Sequence, residues 1–256
     1  MRRLAVWTVI AVAWVAAMVG IAQAEVASVG RVVFLTAKPG MKSQLEEGIK
    51  RQMDWRRDQK DDWRWVVWEY VSGEEWGRYA IATFGHRWED FDRAKVTPWV
   101  EEVNQGALPA LSSTTPLVQY FEHLDEVSGE GGRGEPPAWV ELVSFQLHYG
   151  KSVQFFSALR KFQEALSKAE WPSRYEWLEL LTGGEIPLFL LVLPRANWAA
   201  FETREEVFEA HLERAYGKSE TVALLDRFSS AVKSQRRSVA RLRPDLSYVL
   251  PPAAAQ

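Results

Sequence analysis

The chain has 256 residues, of which 47% are hydrophobic and 25% charged, and a formal net charge of −3. This balance describes an ordinary globular protein and disfavours a nucleic-acid partner, which calls for a basic surface. There is no cysteine, so a disulfide framework, a thiolate nucleophile and a cysteine metal site are all excluded.

At the amino terminus, Arg2 and Arg3 precede an apolar stretch from Leu4 to Ala22, followed by Ala22-Gln23-Ala24. A positive n-region, an apolar h-region and a small-x-small site predict a secretion signal over residues 1–24, cleaved after Ala24. The run also approaches the roughly 20 residues that span a bilayer, which makes an uncleaved anchor the alternative. In either case the globular part is expected outside the cytoplasm, secreted or periplasmic. Cleavage would leave no stable membrane association. Without Arg2 and Arg3 the chain carries 29 basic against 34 acidic residues, a net charge of −5.

Internal repetition dominates the rest of the chain. A shift of 110 residues sets Gly40 on Gly150, Glu69 on Glu179, Gly73 on Gly183, Trp88 on Trp198 and Phe91 on Phe201, with no gap. The repeat divides the chain into a first module over 25–128, a glycine- and proline-rich linker over 129–137, and a second module over 138–256.

Each copy presents the same order of elements. Arg31 to Ala37 and Trp139 to His148 read as opening strands that end at Gly40 and Gly150. Met41, Leu45, Ile49 and Met53 recur every four residues as the stripe of a helix; Phe155, Phe156, Leu159, Phe162 and Leu166 make a broader stripe in the second copy. Trp63 to Val71 with Trp76 to Phe84, and Arg174 to Leu181 with Pro187 to Leu193, read as strand pairs joined by glycine-containing turns. Trp88 with Phe91 and Trp198 with Phe201, three apart, predict a second helix anchored on the sheet. Leu117 to Leu124 and Ser238 to Leu250 read as closing strands, the latter preceded by a helix near Glu220 to Arg237.

The order strand, helix, strand, strand, helix, strand is that of a ferredoxin-like α+β module, whose second sheet face needs cover. The two copies together resemble the dimeric α/β-barrel superfamily, which includes antibiotic-biosynthesis-monooxygenase-like and NIPSNAP-like domains. That resemblance implies two tandem modules whose sheets face one another, a monomeric pseudo-dimer within one chain.

The site candidates are sought on the strands. Val33, Leu35 and Ala37, with Val143, Phe145 and Leu147, form an apolar face expected under the helices. The opposite face holds Val32, Phe34 and Thr36, or Leu142, Ser144, Gln146 and His148. His148 there would be a base or ligand in an inter-module cavity, or a strand-end residue in solvent. Glu69 and Glu179 recur at one place among apolar neighbours, where burial would raise a carboxyl pKa and make a proton-transfer group; the alternative is an exposed edge or a structural hydrogen bond near the hairpin. Arg78 has Leu188 as its counterpart, an asymmetry that suits one working cavity or ordinary divergence. Arg227, Lys233, Arg236, Arg237, Arg241 and Arg243 read as a solvated helix face. No histidine pair has metal-ligand spacing, and no cofactor motif is present. No cofactor is therefore predicted, although the resemblance keeps haem open.

Three classes of function fit this reading: an exported protein binding a small apolar or aromatic ligand between the modules, a cofactor-independent monooxygenase or isomerase-like enzyme, or an interaction protein with a filled core. The sequence favours ligand binding narrowly, because it assembles no complete catalytic set.

Overall fold

The computed structural model describes residues 28–92, 107–129, 135–169, 171, 173–202 and 205–249. The expected secretion signal lies outside the described residues, as do 130–134 of the linker.

The order is β1 (Val29–Thr36), α1 (Lys42–Asp58), β2 (Val66–Tyr70), β3 (Arg78–His86), a short α2 (Ala107–Leu111), β4 (Leu117–His123), β5 (Trp139–Leu147), α3 (Ser152–Lys168), β6 (Glu176–Thr182), β7 (Leu188–Arg195), α4 (Glu205–Tyr216), α5 (Lys218–Ser229) and β8 (Val232–Leu242). The eight strands close into one barrel in the order β1-β3-β2-β8-β5-β7-β6-β4, every neighbouring pair antiparallel. Each half contributes four neighbouring strands, β4-β1-β3-β2 from the first and β8-β5-β7-β6 from the second. The halves meet at two seams, β2 with β8 and β4 with β6.

Strand alternation separates three cores. Val33, Leu35, Val67 and Ile81 point outward and pack on Leu45, Ile49 and Met53 of α1. Phe145, Trp177 and Phe189 point outward in the second half and pack on Phe155, Leu159 and Phe162 of α3 and Leu224 of α5. Val32, Phe34, Phe121, Leu142, Leu178 and Leu180 point into the barrel and meet one another there. Each fully buried side chain of this kind stabilises the fold by about 1.5–3 kcal/mol. Gly40 and Gly150, with φ of 76° and 77°, make the turns that lead from β1 and β5 toward their helices. A side chain at either φ would be strained.

The expected pattern of opening strands, first helices and hairpins is observed, and three expectations are corrected. β8 spans Val232–Leu242 rather than Ser238 to Leu250, and the helix before it ends at Ser229. The basic stretch therefore runs mostly along a strand, where Arg237 pairs with Glu141 and Arg241 with Glu69. Trp88 and Trp198 start short 3-10 turns, not sheet-anchored helices, and are 44% and 57% exposed. Each instead leans on aromatic neighbours, Tyr120 and Phe91 for Trp88, and Trp139 and Phe201 for Trp198.

The antiparallel order gives the barrel two distinct ends. The β2–β3 and β6–β7 hairpins and the carboxyl ends of β1 and β5 share the hairpin end. The start of β1, the start of β6 and the end of β4 share the far end.

Candidate functional site

The structure separates the five sequence candidates. Arg78 and Gln146 face the barrel interior toward the hairpin end. Arg78 lies over the Phe34 ring at 4.3 Å, and Gln146 Nε2 donates to the Pro187 carbonyl at 2.9 Å. His148 does not line the interior: it follows β5, is exposed, and its backbone N–H donates to Ala231 O at 3.0 Å. The strand ends one residue earlier than expected, which releases the imidazole to solvent.

Glu69 and Glu179 both face outward, beneath the helical layer. Burial alone would raise the Glu69 pKa, but Lys42 Nζ at 2.6 Å, Arg241 at 2.7 Å and Arg243 at 3.0 Å outweigh it and hold the carboxyl at about 2. Glu69 is thus a fixed anion and not a proton-transfer group, the reverse of the expected shift. Glu179 does shift upward, through burial first and then the facing charge of Glu122 across the β4–β6 seam.

A different group converges at the far end. His123, last residue of β4, stands on the inner face with Phe121, beside Leu178 of β6. Its Nδ1 is 2.9 Å from Asp125 and its Nε2 3.7 Å from Glu176, and its side chain is 11% exposed. Neither nitrogen makes an aligned hydrogen bond among the described residues. Glu176 opens β6 on the same inner face and accepts from Arg174 at 2.9 Å. Burial pushes the Glu176 carboxyl upward, while Arg174 and His123 pull it back. Buried polar atoms left without partners are uncommon and concentrate where a protein does work.

The walls near this group are apolar and partly open. Leu190, opposite Leu178, and Val192, opposite Glu176, face inward but are only partly buried. Phe84 is 42% exposed and lies across β1 at Gly30, where an added Cβ would come within 2.0 Å of the ring. Only glycine allows that approach. An imidazole here can take a proton from a bound molecule, and Glu176, with its raised pKa, can share it. In the sequence His123 stands as a lone histidine with no metal-ligand spacing, and nothing singles it out. The available signal is the alternation Gln119, Phe121, His123, which puts it on the face of a core phenylalanine.

Other histidines are engaged differently. His86 Nε2 is 2.6 Å from Thr83 Oγ1 and its ring stacks on Trp63 at 3.7 Å, while His211 packs edge-on against Trp171. The layer between sheet and helices in the second half is filled by Phe145, Phe155, Trp177 and Phe228. Neither His86 nor His211 therefore faces an open apolar slot that would take a haem. Among the described residues no set of His, Asp and Glu side chains converges as a metal site.

No protein-family model matches the sequence, and no curated protein matches it. Solved structures do. An anthrone oxidase-like protein superimposes with a TM-score of 0.55 at 16% identity, over 91% of this chain and 98% of that one. A proposed monooxygenase from Lactobacillus acidophilus gives 0.51 at 14% identity, over 88% and 100%. Chlorite dismutase from Candidatus Nitrospira defluvii, solved in complex with imidazole, gives 0.51 at 7% identity, over 86% and 93%. The fold is the one shared by dimeric α+β-barrel proteins. At these identities the likeness is one of fold alone.

Proposed function

We propose that this protein is an enzyme that removes a proton from a small apolar or aromatic substrate at the far end of the barrel, with His123 as the base and Glu176 as its proton partner. The observation that carries this reading is the His123 imidazole, without an aligned hydrogen bond, set between two carboxylates beside partly open apolar walls. The similar structures named as a monooxygenase and as anthrone oxidase-like favour the enzyme reading over simple ligand binding.

The carbanion left by proton removal has two outcomes without a cofactor. Reprotonation at another carbon is an isomerisation. Oxidation of a methylene carbon by dioxygen puts one oxygen atom into the product as a carbonyl, and the second leaves as water with the two hydrogens of that carbon. Arg174 holds Glu176 in place, and the Asp125 carboxylate faces the imidazole Nδ1 from its other side.

Oxygen uptake by the purified mature chain with anthrone tests this. Turnover that falls about 100-fold or more in His123→Ala and in Glu176→Gln supports it. Turnover unchanged in both variants, or no turnover, defeats it.

We further propose that the barrel is an intramolecular pseudo-dimer of two tandem ferredoxin-like modules, exported after cleavage at Ala24. Its support is the 110-residue repeat and the leader pattern, and intact mass of exported material should begin at Glu25. Among the described residues no helix is long and apolar enough to cross a membrane.

A further inference from the structure

At the hairpin end the inner face of the first half differs in chemistry from that of the second. The 110-residue shift pairs Phe34 with Ser144, Tyr70 with Leu180 and Arg78 with Leu188. The second half completes the barrel with small and aliphatic side chains, so closing the barrel does not by itself demand an aromatic pair and a cation. All three first-half residues face inward: Phe34 and Tyr70 belong to the interior core, with ring centroids 6.5 Å apart, and the Arg78 guanidinium sits 4.3 Å over the Phe34 ring.

Arg78 also differs from four other buried or half-buried arginines, each of which has a carboxylate partner. Arg56 is paired with Asp61, Arg195 with Glu141, Arg174 with Glu176, and Arg243 with Glu46 and Glu69. No carboxylate pairs with Arg78 among the described residues. Tyr70 and, less strongly, Glu75 act on it only through space, and both effects are smaller than that of burial. Burial pulls the guanidinium below its usual range, in keeping with a half-buried cation that has no paired carboxylate. The Tyr70 hydroxyl makes no hydrogen bond among the described residues, and burial pushes its pKa far up, so it is a neutral donor. The adjoining interior positions carry the small side chains of Ala80, Ala82 and Ala240.

We propose that Arg78, Phe34 and Tyr70 form a binding corner for the carboxylate of a small aromatic acid. The guanidinium fork matches the two carboxylate oxygens, and stacking on Phe34 fixes its plane. Tyr70 supplies a further O–H donor, and the two rings give the ligand an aromatic bed. A neutral pocket for an apolar molecule would have no use for a half-buried cation. The corner lies at the opposite end of the barrel from His123, so it is a second site with a purpose separate from proton transfer.

Benzoate is the probe, with benzamide as its uncharged isostere, titrated calorimetrically into the mature full chain. Saturable 1:1 benzoate binding is expected, at least tenfold tighter than benzamide. Arg78→Gln should weaken benzoate at least tenfold, Arg78→Lys less, and Tyr70→Phe about threefold. His123→Ala should leave benzoate binding unchanged while it removes turnover, so the two sites fail or stand separately. Absent binding, equal binding of benzoate and benzamide, or parent-like binding by both Arg78→Gln and Tyr70→Phe overturns the proposal. Should Arg78→Gln not fold, the benzamide comparison and Tyr70→Phe decide.

Discussion

Glu69 of β2 faces Arg241 of β8 across the seam between the two halves, its Oε2 2.7 Å from the guanidinium. At the other seam the register sets Glu179 of β6 against Glu122 of β4. One seam is tied by opposite charges, and the other carries like charges. The repeat places the two glutamates equivalently, but the strand each one meets decides the direction of its shift.

Glu69 is held at about 2, below its ordinary 4.5. A depressed carboxylate adds stability that is complete above its unfolded pKa and is lost as pH falls from there toward the folded value. Between about pH 5 and pH 2 the parent should therefore lose on the order of 2 kcal/mol more than Glu69→Gln, discounted for its exposed partners. Parallel loss in urea unfolding at both pH values would show that the cluster contributes nothing.

Glu179 shifts the other way, so its protonated form is the one the fold prefers. The associated stability is present at low pH and is lost as pH rises through the folded pKa. Glu179→Gln should be more stable than the parent at neutral pH by about 0.5–1 kcal/mol, and the gap should close in acid. A variant less stable than the parent at neutral pH contradicts this.

Trp65, fully buried under Arg56 at 3.8 Å, and the two exposed tryptophans should separate in thermal melts. Trp65→Ala should cost about 3–5 kcal/mol, whereas Trp88→Ala and Trp198→Ala should each cost about 1 kcal/mol. Equal losses in all three would mean that the aromatic contacts of Trp88 and Trp198 matter as much as burial.

Much of this architecture is legible in the sequence because it rests on period and punctuation. Leu45, Ile49 and Met53 announce α1, the alternation around Val33 and Val143 separates the two strand faces, and Gly73 and Gly183 mark the hairpins. The end of the second half is not legible in the same way: Arg236, Arg237 and Arg241 lie among good helix formers, while pairing with β5 and β2 overrides that local preference. The site is less legible because His123 and Glu176 are 53 residues apart. Only the β4–β6 seam, a contact between halves, brings them together. Glu69 misleads for a related reason: burial is visible in a pattern, but the three cations that answer it come from α1, β8 and the turn after β8.

A closed barrel makes each half the cover of the other. Expressed alone, residues 25–128 or 136–256 would expose two strand edges and an inner face containing Phe34 or Leu142. Burial is worth about 25 cal/mol per Å² of apolar surface, so each half should self-associate or precipitate. Two soluble monomers that melt as the whole chain does would contradict a shared core.

Proton abstraction by His123 is the central claim, and solvent isotope exchange reads that step without oxygen chemistry. Anthrone incubated anaerobically in D2O with the mature protein should exchange its methylene hydrogens faster than in buffer, followed by proton NMR. His123→Ala should lose about 100-fold or more of that catalysed exchange while its melting temperature stays near the parent's. Exchange at the parent rate in a folded His123→Ala protein, or no exchange above buffer with the parent, would contradict proton abstraction by this residue.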